Sequence, residues 1–556
     1  MLTIIITWFY ILFTTFCLGF AFSRFSEKVL HYSLKRVTTI LMTGLIISTV
    51  YAQIFSLFYR VNIEANVIMM LGCVVIVIAM RKSLWSFLKD AYSNCPLYCK
   101  IAIPLLFLAW SFFTSRGYMV PDMDLYHGQS IRWIEEYGVV KGLGNIHCRF
   151  GYNSSIFATS ALYSLKFVFG RTIHAVNGLI AFLISVMALD LGKAFRRRKM
   201  LLSDYARVAA VYYLTTIWDE IIAPSSDYAV MCTIFFIVIN WLTQLEQEDA
   251  EQRNDIAPYA LLCVAGVFTL TLKLTASLIL ILLIKPAYML IKQKRWREIA
   301  IYLSMGLIVA VPWLVRNVII TGWLFYPMPY IDLFNPDWKM TNMSVIYVDL
   351  AGIEVYGKAA NEIGINATLQ QWFPNWFKTQ LSAIQKVMII GDMLACVATV
   401  AFALKIFIKK QWDKLDALLV FVMLVVCYLF WQFSAPLVRY GYAYILLLAA
   451  VTFGYIIKDW KVTKLLYAVL IFYGIYKLYV GCDYIVSCSS WPNYIWQETY
   501  SVPESEVTEL GGVTFYCPLN GALPGYYVFP AADYETLGQI ELRGDSIEDG
   551  FKLKGN

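Results

Sequence analysis

The sequence predicts an all-α polytopic membrane protein, for two reasons. Of its 556 residues, 60% are apolar and only 15% are charged, whereas soluble domains contain about 45–50% apolar and about 25% charged residues. Apolar runs of about 20 residues, the length that a helix needs to cross a bilayer, recur almost from end to end and predict about 14 transmembrane helices. A single soluble globular protein is therefore excluded.

The first predicted span covers residues 1–22, because this apolar stretch lacks the basic start and the small-residue cleavage site of a signal peptide. The other predicted spans are 38–58, 62–80, 100–115, 172–192, 206–222, 226–243, 257–272, 274–290, 298–320, 386–408, 415–433, 441–457 and 463–481.

The basic residues predict how these helices are oriented. More than half of the 45 Lys and Arg residues fall in connections between alternate spans, including the run Arg196-Arg197-Arg198-Lys199, and such clusters stay on the cytoplasmic side. The net charge of +7 is therefore an orientation signal, and it does not predict a nucleic-acid partner. We expect both termini and three long segments to be extracytoplasmic: 116–171, 321–385 and 482–556.

These segments divide the chain into a transmembrane domain, 1–481, and an external C-terminal tail or small domain, 482–556. Turn signals such as Asn520-Gly521 predict a few strands in the tail. Residues 153–170 must not cross the membrane, because a single crossing has to connect the first loop to the arginine run. We expect a membrane-parallel helix in the outer interface there.

The densest polar segment follows the fourth span. Asp122, Asp124 and His127 lie within six residues, and a helix starting near Asp122 would place Asp124 and His127 on one face. This pattern favours a catalytic base or a metal ligand at Asp122 or Asp124, with Tyr126, His127 and Arg132 as substrate-binding candidates. The alternative is that one Asp merely caps the helix.

Glycines and polar residues continue this loop up to Asn153. Glycines alternate there with Asn145, His147 and Arg149, and such sequences let backbone amides and cations approach an anion such as a phosphate. His147 and Arg149 are therefore further substrate-binding candidates. The alternative is a structural role, which is the commoner one for a single His.

The next external turn carries Asp219, Glu220 and Asp227 beside a membrane boundary. A carboxylate at that depth needs a cation, a metal or a hydrogen-bond donor. Asp124, Asp219 and Glu220 are candidate ligands of a divalent cation, because Mg2+ and Mn2+ prefer oxygen ligands. The alternative is a solvated turn.

Three isolated cations stand at the outer ends of other spans. Lys273, Arg316 and Arg439 are each surrounded by apolar sequence, which indicates either an anionic partner or snorkelling to the interface. As a group they predict binding of a lipid phosphate.

The twelve cysteines have no zinc or haem spacing, and most lie in predicted spans. Cys148, Cys482, Cys488 and Cys517 are expected to be external, where one disulfide is allowed, with its pairing open. The sequence also lacks a P-loop, a H-E-x-x-H motif and a G-x-S-x-G motif, which excludes the ATPase, metalloprotease and hydrolase classes that these motifs mark.

Together these residues resemble the multi-pass GT-C superfamily of polyprenyl-phosphate-sugar-dependent membrane glycosyltransferases. The resemblance lies in an acidic motif in the first large loop, a membrane-parallel helix, a second acidic turn and a Pro-Trp to Arg-Asn segment. These features are Asp122-Met123-Asp124-Leu125-Tyr126-His127, residues 153–170, Asp219-Glu220, and Pro312-Trp313-Leu314-Val315-Arg316-Asn317 leading to Gly322 and Tyr326-Pro327.

Over most of its length the chain also resembles a bacterial multi-pass branch seen in Bacteroidota and Leptospira. Three shared stretches carry this resemblance: Tyr137-Gly138 to Asn153-Ser154-Ser155, Phe433-Ser434-Ala435-Pro436 to Arg439-Tyr440, and Leu542-Arg543-Gly544.

The GT-C resemblance implies an inverting enzyme of a bacterial inner membrane with an active site on the external side. It would transfer a sugar from a polyprenyl-phosphate donor to an envelope glycan or a lipid-linked acceptor. The family's general base corresponds to Asp122 or Asp124. Its phosphate-binding cations correspond to Arg316 and, less directly, to Lys273 and Arg439. Family members differ in whether acidic loop residues hold a divalent metal.

About four spans, rather than one, precede the acidic loop, which departs from the simplest family layout. Two other functions are consistent with the same residues: a polymerase or ligase of lipid-linked oligosaccharides, and a non-enzymatic transporter or flippase of lipid-linked sugars. The sequence shows no internal repeat of the kind that transporters usually contain. Polar residues gather at the outer ends of the spans, which favours a one-sided active site.

Overall fold

The computed structural model describes residues 1–251, 255–328, 331–457 and 460–555. Residues 329, 330 and 556, which belong to the predicted loop 321–385 and tail 482–556, lie outside these ranges.

Most of the described chain is helical, and we number its α-helices and strands in chain order. The α-helices are α1 (Leu2–Leu30), α2 (Val37–Ser56), α3 (Ile63–Ser93), α4 (Leu97–Ser115), α5 (Gly128–Tyr137), α6 (Ser155–Leu162), α7 (Lys166–Phe169), α8 (Val176–Ala188), α9 (Leu191–Arg197), α10 (Leu202–Ile217), α11 (Ser226–Glu251), α12 (Ala257–Leu272), α13 (Ile284–Lys292), α14 (Trp296–Thr321), α15 (Met343–Gly357), α16 (Leu369–Thr379), α17 (Ala383–Lys409), α18 (Leu415–Ser434), α19 (Val438–Ile456), α20 (Trp460–Ser487), α21 (Trp491–Ile495) and α22 (Tyr534–Gln539). The strands are β1 (Ser505–Leu510), β2 (Val513–Pro518), β3 (Ile540–Leu542) and β4 (Phe551–Leu553).

Twelve helical segments of the described chain are long and apolar enough to cross a membrane, so the protein is a multi-pass membrane protein with helical spans. These segments are Leu2–Leu30, Val37–Ser56, Ile63–Ser93, Leu97–Ser115, Val176–Arg197, Ser226–Glu248, Leu274–Lys292, Trp296–Thr321, Ala383–Lys409, Trp412–Ser434, Val438–Ile456 and Lys464–Ser487.

Two further predicted spans, 206–222 and 257–272, fall on helices that are shorter than these twelve. Helices α10 and α12 have 16 residues each. At 1.5 Å per residue each helix is about 24 Å long, whereas the hydrocarbon core of a bilayer is about 30 Å thick. The total of about 14 transmembrane helices therefore stays a prediction.

The helices differ in how much of their surface other helices cover. Nearly every residue of α8 is buried, whereas Leu71 on α3, Val397 on α17 and Phe472 on α20 are exposed. Large exposed apolar surfaces are rare in soluble monomers. The outer helices therefore present the apolar surface that a bilayer requires.

The bundle has two ends, which we name by the residues they carry. The loop end carries the segment 116–171, and the basic end carries the arginine run 196–199 and the basic cluster 292–297. The amine of Met1 donates a hydrogen bond of 3.2 Å to the carbonyl of Asn493, which brings the start of the chain and the tail together. The side of the membrane on which the loop end lies stays a prediction.

Residues 153–170 form two short helices, α6 and α7, instead of the single interfacial helix predicted there. All eight residues of α6 are buried, and Leu165, with φ of 45°, separates the two helices. The hydroxyl groups explain the difference, because they bind other helices instead of facing water. Thr159 Oγ1 lies 2.7 Å from Thr49 Oγ1, and Thr271 Oγ1 donates to Ser155 Oγ over 2.9 Å.

The tail contains strands, as its turn signals predict, and packs against the first loop. β1 pairs antiparallel with β2, and β3 pairs antiparallel with β4. Phe515 and Phe551 are buried in a cluster with Trp133 and Val140 of the loop, and the amide of Phe551 donates to the carbonyl of Lys141 over 2.9 Å. Tail and loop therefore share one hydrophobic core.

All twelve cysteines are free, so none of the four expected external cysteines forms the disulfide that the sequence allows. Their positions give the reason. Cys517 is buried in the shared core of tail and loop, whereas Cys482 is exposed on α20.

Helices α1 and α2 cross with their backbones in direct contact, which only small residues permit. A Cβ atom on Gly44 would lie 1.7 Å from the carbonyl oxygen of Thr15, and one on Gly19 would lie 1.9 Å from that of Ile40. The far end of α2 contacts the first loop, where the amide of Val139 donates to the carbonyl of Ser56 over 3.0 Å. This crossing therefore supports the loop end.

The variant Gly44→Leu is expected to destabilise the protein by about 3 kcal/mol or more, because the added side chain meets backbone atoms that cannot rotate away. The measurement is the unfolding temperature and the monodisperse fraction of detergent-purified protein. Gly474→Leu on α20 is the matched control, since nothing lies within 4 Å of a Cβ added there. Equal stability of the two variants would contradict the close crossing.

Candidate functional site

The acidic segment of the first loop folds as one turn of π-helix, Met123–His127, between Pro121 and α5. Asp122 occupies the N-cap position, but its side chain makes no capping hydrogen bond. The purely capping role that the sequence left open for Asp122 is therefore wrong. A π-helical turn is rare and is often found at functional sites.

The carboxylate of Asp122 is held between two arginines from distant parts of the chain. Arg149 Nη1 lies 3.2 Å from Asp122 Oδ1, and Arg439 Nη2 lies 2.7 Å from Asp122 Oδ2. Arg149 also contacts Asp349 of α15, with 3.0 Å between Nε and Oδ1. Tyr152 donates its hydroxyl to the other oxygen of Asp349 over 2.6 Å.

A second group of charges joins this chain through Arg439. Lys273 Nζ lies 2.5 Å from Asp227 Oδ1, and Arg439 Nε lies 3.8 Å from Asp227 Oδ2. Lys273 Nζ also stands 3.7 Å from the ring centre of Tyr440, in the geometry of a cation–π contact. We call this set the ion-pair cluster and define it as Asp122, Arg149, Asp227, Lys273, Asp349 and Arg439.

The ion-pair cluster combines three cations and three carboxylates, so its formal charges cancel. Charges so close to a membrane boundary are tolerated only when they are paired. The cluster remains open to solvent, since the side chains of Asp122 and Arg439 are 23% and 36% exposed. An anionic ligand can therefore reach the cations, provided that it competes with the carboxylates that hold them.

Asp124 lies two residues from Asp122 and contacts the tail instead of the ion-pair cluster. Its backbone carbonyl accepts a hydrogen bond of 2.8 Å from the amide of Gly525. Its carboxylate oxygen Oδ1 is buried and has no hydrogen-bond partner among the described residues. Burial raises the pKa of Asp124. Such a carboxyl group is suited to accept a proton, because a raised pKa makes it a stronger base.

The three histidines near this loop are buried or half-buried. The ring of His127 packs against Tyr126 and Phe157, and burial lowers the pKa of His127 to about 4. His147 Nδ1 accepts a hydrogen bond of 3.2 Å from the backbone amide of Arg149. His147 therefore orients the backbone that carries this arginine. His127, as a neutral ring, fills space beneath the π-helical turn.

Two predicted binding residues lie away from the ion-pair cluster. Arg132 Nη1 donates to the carbonyls of Tyr526 and Tyr527 in the tail, over 2.9 Å and 2.8 Å. Arg316 is buried, and its guanidinium donates to Asn153 Oδ1 over 3.0 Å and to Ser56 Oγ over 2.5 Å. Both arginines thus use hydrogen-bond donors on protein groups, and neither presents a free guanidinium to a ligand.

The candidate metal ligands do not converge in the described part of the chain. Glu220 Oε2 accepts the hydroxyl of Tyr228 over 2.6 Å, and the backbone carbonyl of Asp219 accepts the amide of Tyr118 over 2.6 Å. Within the described ranges, no three His, Cys, Asp or Glu side chains form a group that could hold a metal ion. The arrangement of Asp124, Asp219 and Glu220 therefore does not fit a preformed divalent site.

The ion-pair cluster contains four predicted site residues, Asp122, Arg149, Lys273 and Arg439. It also contains Asp227, which the sequence placed in an acidic turn, and Asp349, which sequence reasoning missed. The sequence does contain a feature that would have selected Asp349 as a site residue: it is an isolated acid in the apolar stretch Ser344–Leu350. An isolated acid in such a stretch needs a partner by the same argument that singled out the isolated cations.

Comparison with protein families adds one fact to this geometry. A family described as a domain of unknown function, DUF8201, matches residues 1–446. The chain belongs to the DUF8201 family. Neither the curated proteins nor the solved structures include a match to the chain. The whole ion-pair cluster lies within the part of this DUF8201 protein that the family covers, whereas the tail residues that contact Asp124 and Arg132 follow it.

The tail of this DUF8201 protein also docks at His174, between the first loop and α8. Tyr500 places its hydroxyl 2.7 Å from His174 Nε2, and Gln497 Nε2 donates to the carbonyl of His174 over 2.9 Å. Burial, and to a smaller extent the nearby His127, lowers the pKa of His174 to about 3. Docking of the tail therefore requires an uncharged ring at His174.

Protonation of His174 is expected to weaken docking of the tail as the pH falls. The undocked state of His174 has an ordinary pKa of about 6.5. Because the docked state has the lower pKa, the stability that depends on a neutral His174 is complete above about pH 6.5 and decreases as the pH falls towards about 3. Glu135 acts in the opposite direction, because burial raises its pKa to about 7 and its carboxylate accepts the hydroxyl of the tail residue Tyr526. Limited proteolysis beyond residue 488 should therefore show only a small net change in tail opening between pH 7 and pH 5 for the wild type.

The variant His174→Gln is the control for this pH dependence, because it cannot gain a proton in this range. It should show weaker docking at pH 7 and, because Glu135 still gains a proton as the pH falls, tighter docking at pH 5 than at pH 7. The same pH dependence in both proteins would rule out His174 as the group responsible.

Proposed function

We propose that this DUF8201 protein is an inverting glycosyltransferase of the GT-C type. It would transfer a sugar from a polyprenyl-phosphate-linked donor to an envelope glycan or lipid-linked acceptor, on the extracytoplasmic face of a bacterial inner membrane. The observation that carries the proposal is that Asp124, whose Oδ1 has no hydrogen-bond partner among the described residues, lies two residues along the chain from Asp122 of a solvent-accessible cluster containing three cations. The proposal also includes a GT-C fold, about 14 transmembrane helices and an extracytoplasmic position of the loop end.

The reaction needs a base for the acceptor and a cationic site for the leaving phosphate. The acceptor hydroxyl oxygen attacks the anomeric carbon, the bond between that carbon and the phosphate oxygen breaks, and the sugar inverts its configuration. Asp124 takes the proton of the hydroxyl, a role that its raised pKa supports. The electron pair of the broken bond leaves with the phosphate.

The cations of the ion-pair cluster are suited to the leaving phosphate. Lys273 and Arg439 are positioned by Asp227 and Asp122, so they require little reorganisation when negative charge develops nearby. Arg149 is the third cation and lies on the other side of Asp122. No step is assigned to Mg2+ or Mn2+, because Asp124, Asp219 and Glu220 do not converge.

Two sequence-based roles change within this proposal. Asp122 is already paired with two arginines, so we assign it to positioning the cations and assign the base to Asp124. Arg316 remains a candidate for contact with the donor, but only if its hydrogen bonds to Asn153 and Ser56 are exchanged. Tyr126, which lies under Arg149 at 5.8 Å from ring centre to guanidinium carbon, supports that arginine.

The variant Asp124→Asn is expected to fold normally and to lower transfer by about 10²- to 10⁴-fold, because it removes the general base. The measurement is mass spectrometry of lipid-linked and surface glycans from cells with the wild type, no protein, or the variant at equal expression. Asp545→Asn, at an exposed position of the tail, is the matched control and should keep full transfer.

The outcomes of this experiment separate the candidate functions. Loss of the same sugar in the deletion and in Asp124→Asn supports a transferase. Accumulation of a complete lipid-linked glycan in the deletion, with normal behaviour of Asp124→Asn, supports the transporter or flippase. Loss of chain length at unchanged composition supports a polymerase or ligase.

The pair Lys273 and Asp227 offers a second test. Lys273→Met is expected to lower the rate of transfer by about 100-fold or more, as loss of an electrostatic donor does in other enzymes. This single change also leaves Asp227 without its closest cation, which costs stability. The double variant Lys273→Met/Asp227→Asn removes both charges and should recover the stability but not the transfer. Recovery of transfer in the double variant would mean that Lys273 only neutralises Asp227.

A further inference from the structure

A cavity of about 1010 Å³ lies between α1, α2, α11, α12 and α14, towards the basic end of the bundle. This volume is at the upper end of the range of about 300–1,000 Å³ for small-molecule sites. Protein interiors seldom leave voids much larger than a water molecule. No residue of the ion-pair cluster lines the cavity, which therefore belongs to a different part of the protein.

The lining of the cavity changes along the bundle from charged to apolar. On α2, lining residues run from Thr39 to Val50, a distance of about 16 Å at 1.5 Å per residue. On α14 they run from Arg297 to Val309, a distance of about 18 Å. The cavity thus starts at the basic end and reaches about half of the thickness of a bilayer, about 30 Å.

Two cations at the charged end of the cavity have no acidic partner among the described residues. Lys35 and Arg297 line the cavity and are exposed, and neither takes part in an ion pair within the described ranges. The third cation there, Arg36, is paired with Asp190 at 3.0 Å.

The acids at the same rim have other contacts. Glu248 Oε2 lies 2.9 Å from Lys285 Nζ, and Asp255 Oδ1 accepts the amide of Ala257 over 3.3 Å. Within the described ranges, neither acid is therefore paired with Lys35 or Arg297, and these two cations can meet an anion.

The deep end of the cavity is apolar. Residues of α2, α12 and α14 form its walls there: Ile46, Ile47, Val50, Val264, Ala265, Ile308 and Val309. A ligand that satisfies both ends must have a negatively charged group at the membrane surface and an apolar chain that extends towards the bilayer centre. A lipid with a phosphate headgroup has this chemistry.

We propose that the cavity is a binding site for a lipid whose phosphate headgroup carries a net negative charge. The headgroup lies against Lys35 and Arg297, and the apolar chain extends along α2 and α14 towards Val50 and Val309. The positive-inside pattern places this end of the bundle in the cytoplasmic leaflet. The site goes beyond the proposed transferase, because its residues and its end of the bundle are separate from those of the ion-pair cluster.

The test is native mass spectrometry of the full-length protein purified in detergent, with one lipid added at a time. The three probes are dioleoyl phosphatidylglycerol, dioleoyl phosphatidylcholine, which has the same chains but no net charge, and undecaprenyl phosphate. We expect at least tenfold preference for one or both of the anionic lipids over phosphatidylcholine. The anionic lipid that binds more tightly identifies the source of the phosphate headgroup.

Two variants and two controls locate the binding. Charge reversal in Lys35→Glu/Arg297→Glu should lower anionic lipid binding at least tenfold, whereas Lys292→Glu, an exposed cation of the same end that does not line the cavity, should not. Ser304→Trp fills the cavity from α14 and should lower binding of every lipid. Gly72→Trp on α3, where nothing lies within 4 Å of an added Cβ, is its control.

The contrary results are equally specific. The protein could bind the charged and uncharged lipids equally, and both cavity variants could leave this binding unchanged. That result would mean that the protein only retains surrounding bilayer lipid, and it would overturn the proposal. An equal loss of binding in Lys292→Glu would overturn it as well. Because the readout is lipid retention, either failure leaves the proposed sugar transfer untouched, and a failure of Asp124→Asn leaves the lipid site untouched.

Discussion

A charge at a membrane boundary is costly unless an opposite charge lies beside it, and the loop end of this protein is organised around that constraint. Asp122 meets Arg149, 27 residues away in the sequence, and Arg439, 317 residues away. These contacts tie the first loop to α15, α11 and α19 in one network. The loop, the start of α11 and the start of α19 therefore cannot take independent positions, because moving one of them leaves a charge unpaired.

The same constraint explains which features the sequence predicts well. Long apolar runs identify spans because backbone groups in lipid must be satisfied within each helix, and the part of the chain that the structure describes contains twelve such helices. Isolated charges in apolar sequence identify residues that need partners, which is why Lys273 and Arg439 could be chosen without a structure, whereas Asp122 and Arg149 could be chosen from the polar segment of the first loop. Their partners could not be chosen, because pairing depends on helix packing over hundreds of residues.

The sequence was least informative where the first loop meets the tail. Arg132 is placed in the acidic segment by sequence, but its guanidinium binds carbonyls of Tyr526 and Tyr527. The hydroxyls of residues 153–170 suggest a surface helix, but they bind α2 and α12 instead. In each case a polar group found its partner inside the protein, and local pattern cannot distinguish such a partner from water.

The contact between Gly525 and Asp124 has a consequence for the order in which the protein is assembled. All residues of the ion-pair cluster have been synthesised and inserted once the chain reaches α19, but the segment that covers Asp124 is made about 85 residues later, several seconds at typical rates of about 5–20 residues per second. During that interval the carboxylate of Glu135 lacks the hydrogen bond that it accepts from the hydroxyl of the tail residue Tyr526. Synthesis of the tail is therefore also the event that covers this part of the loop.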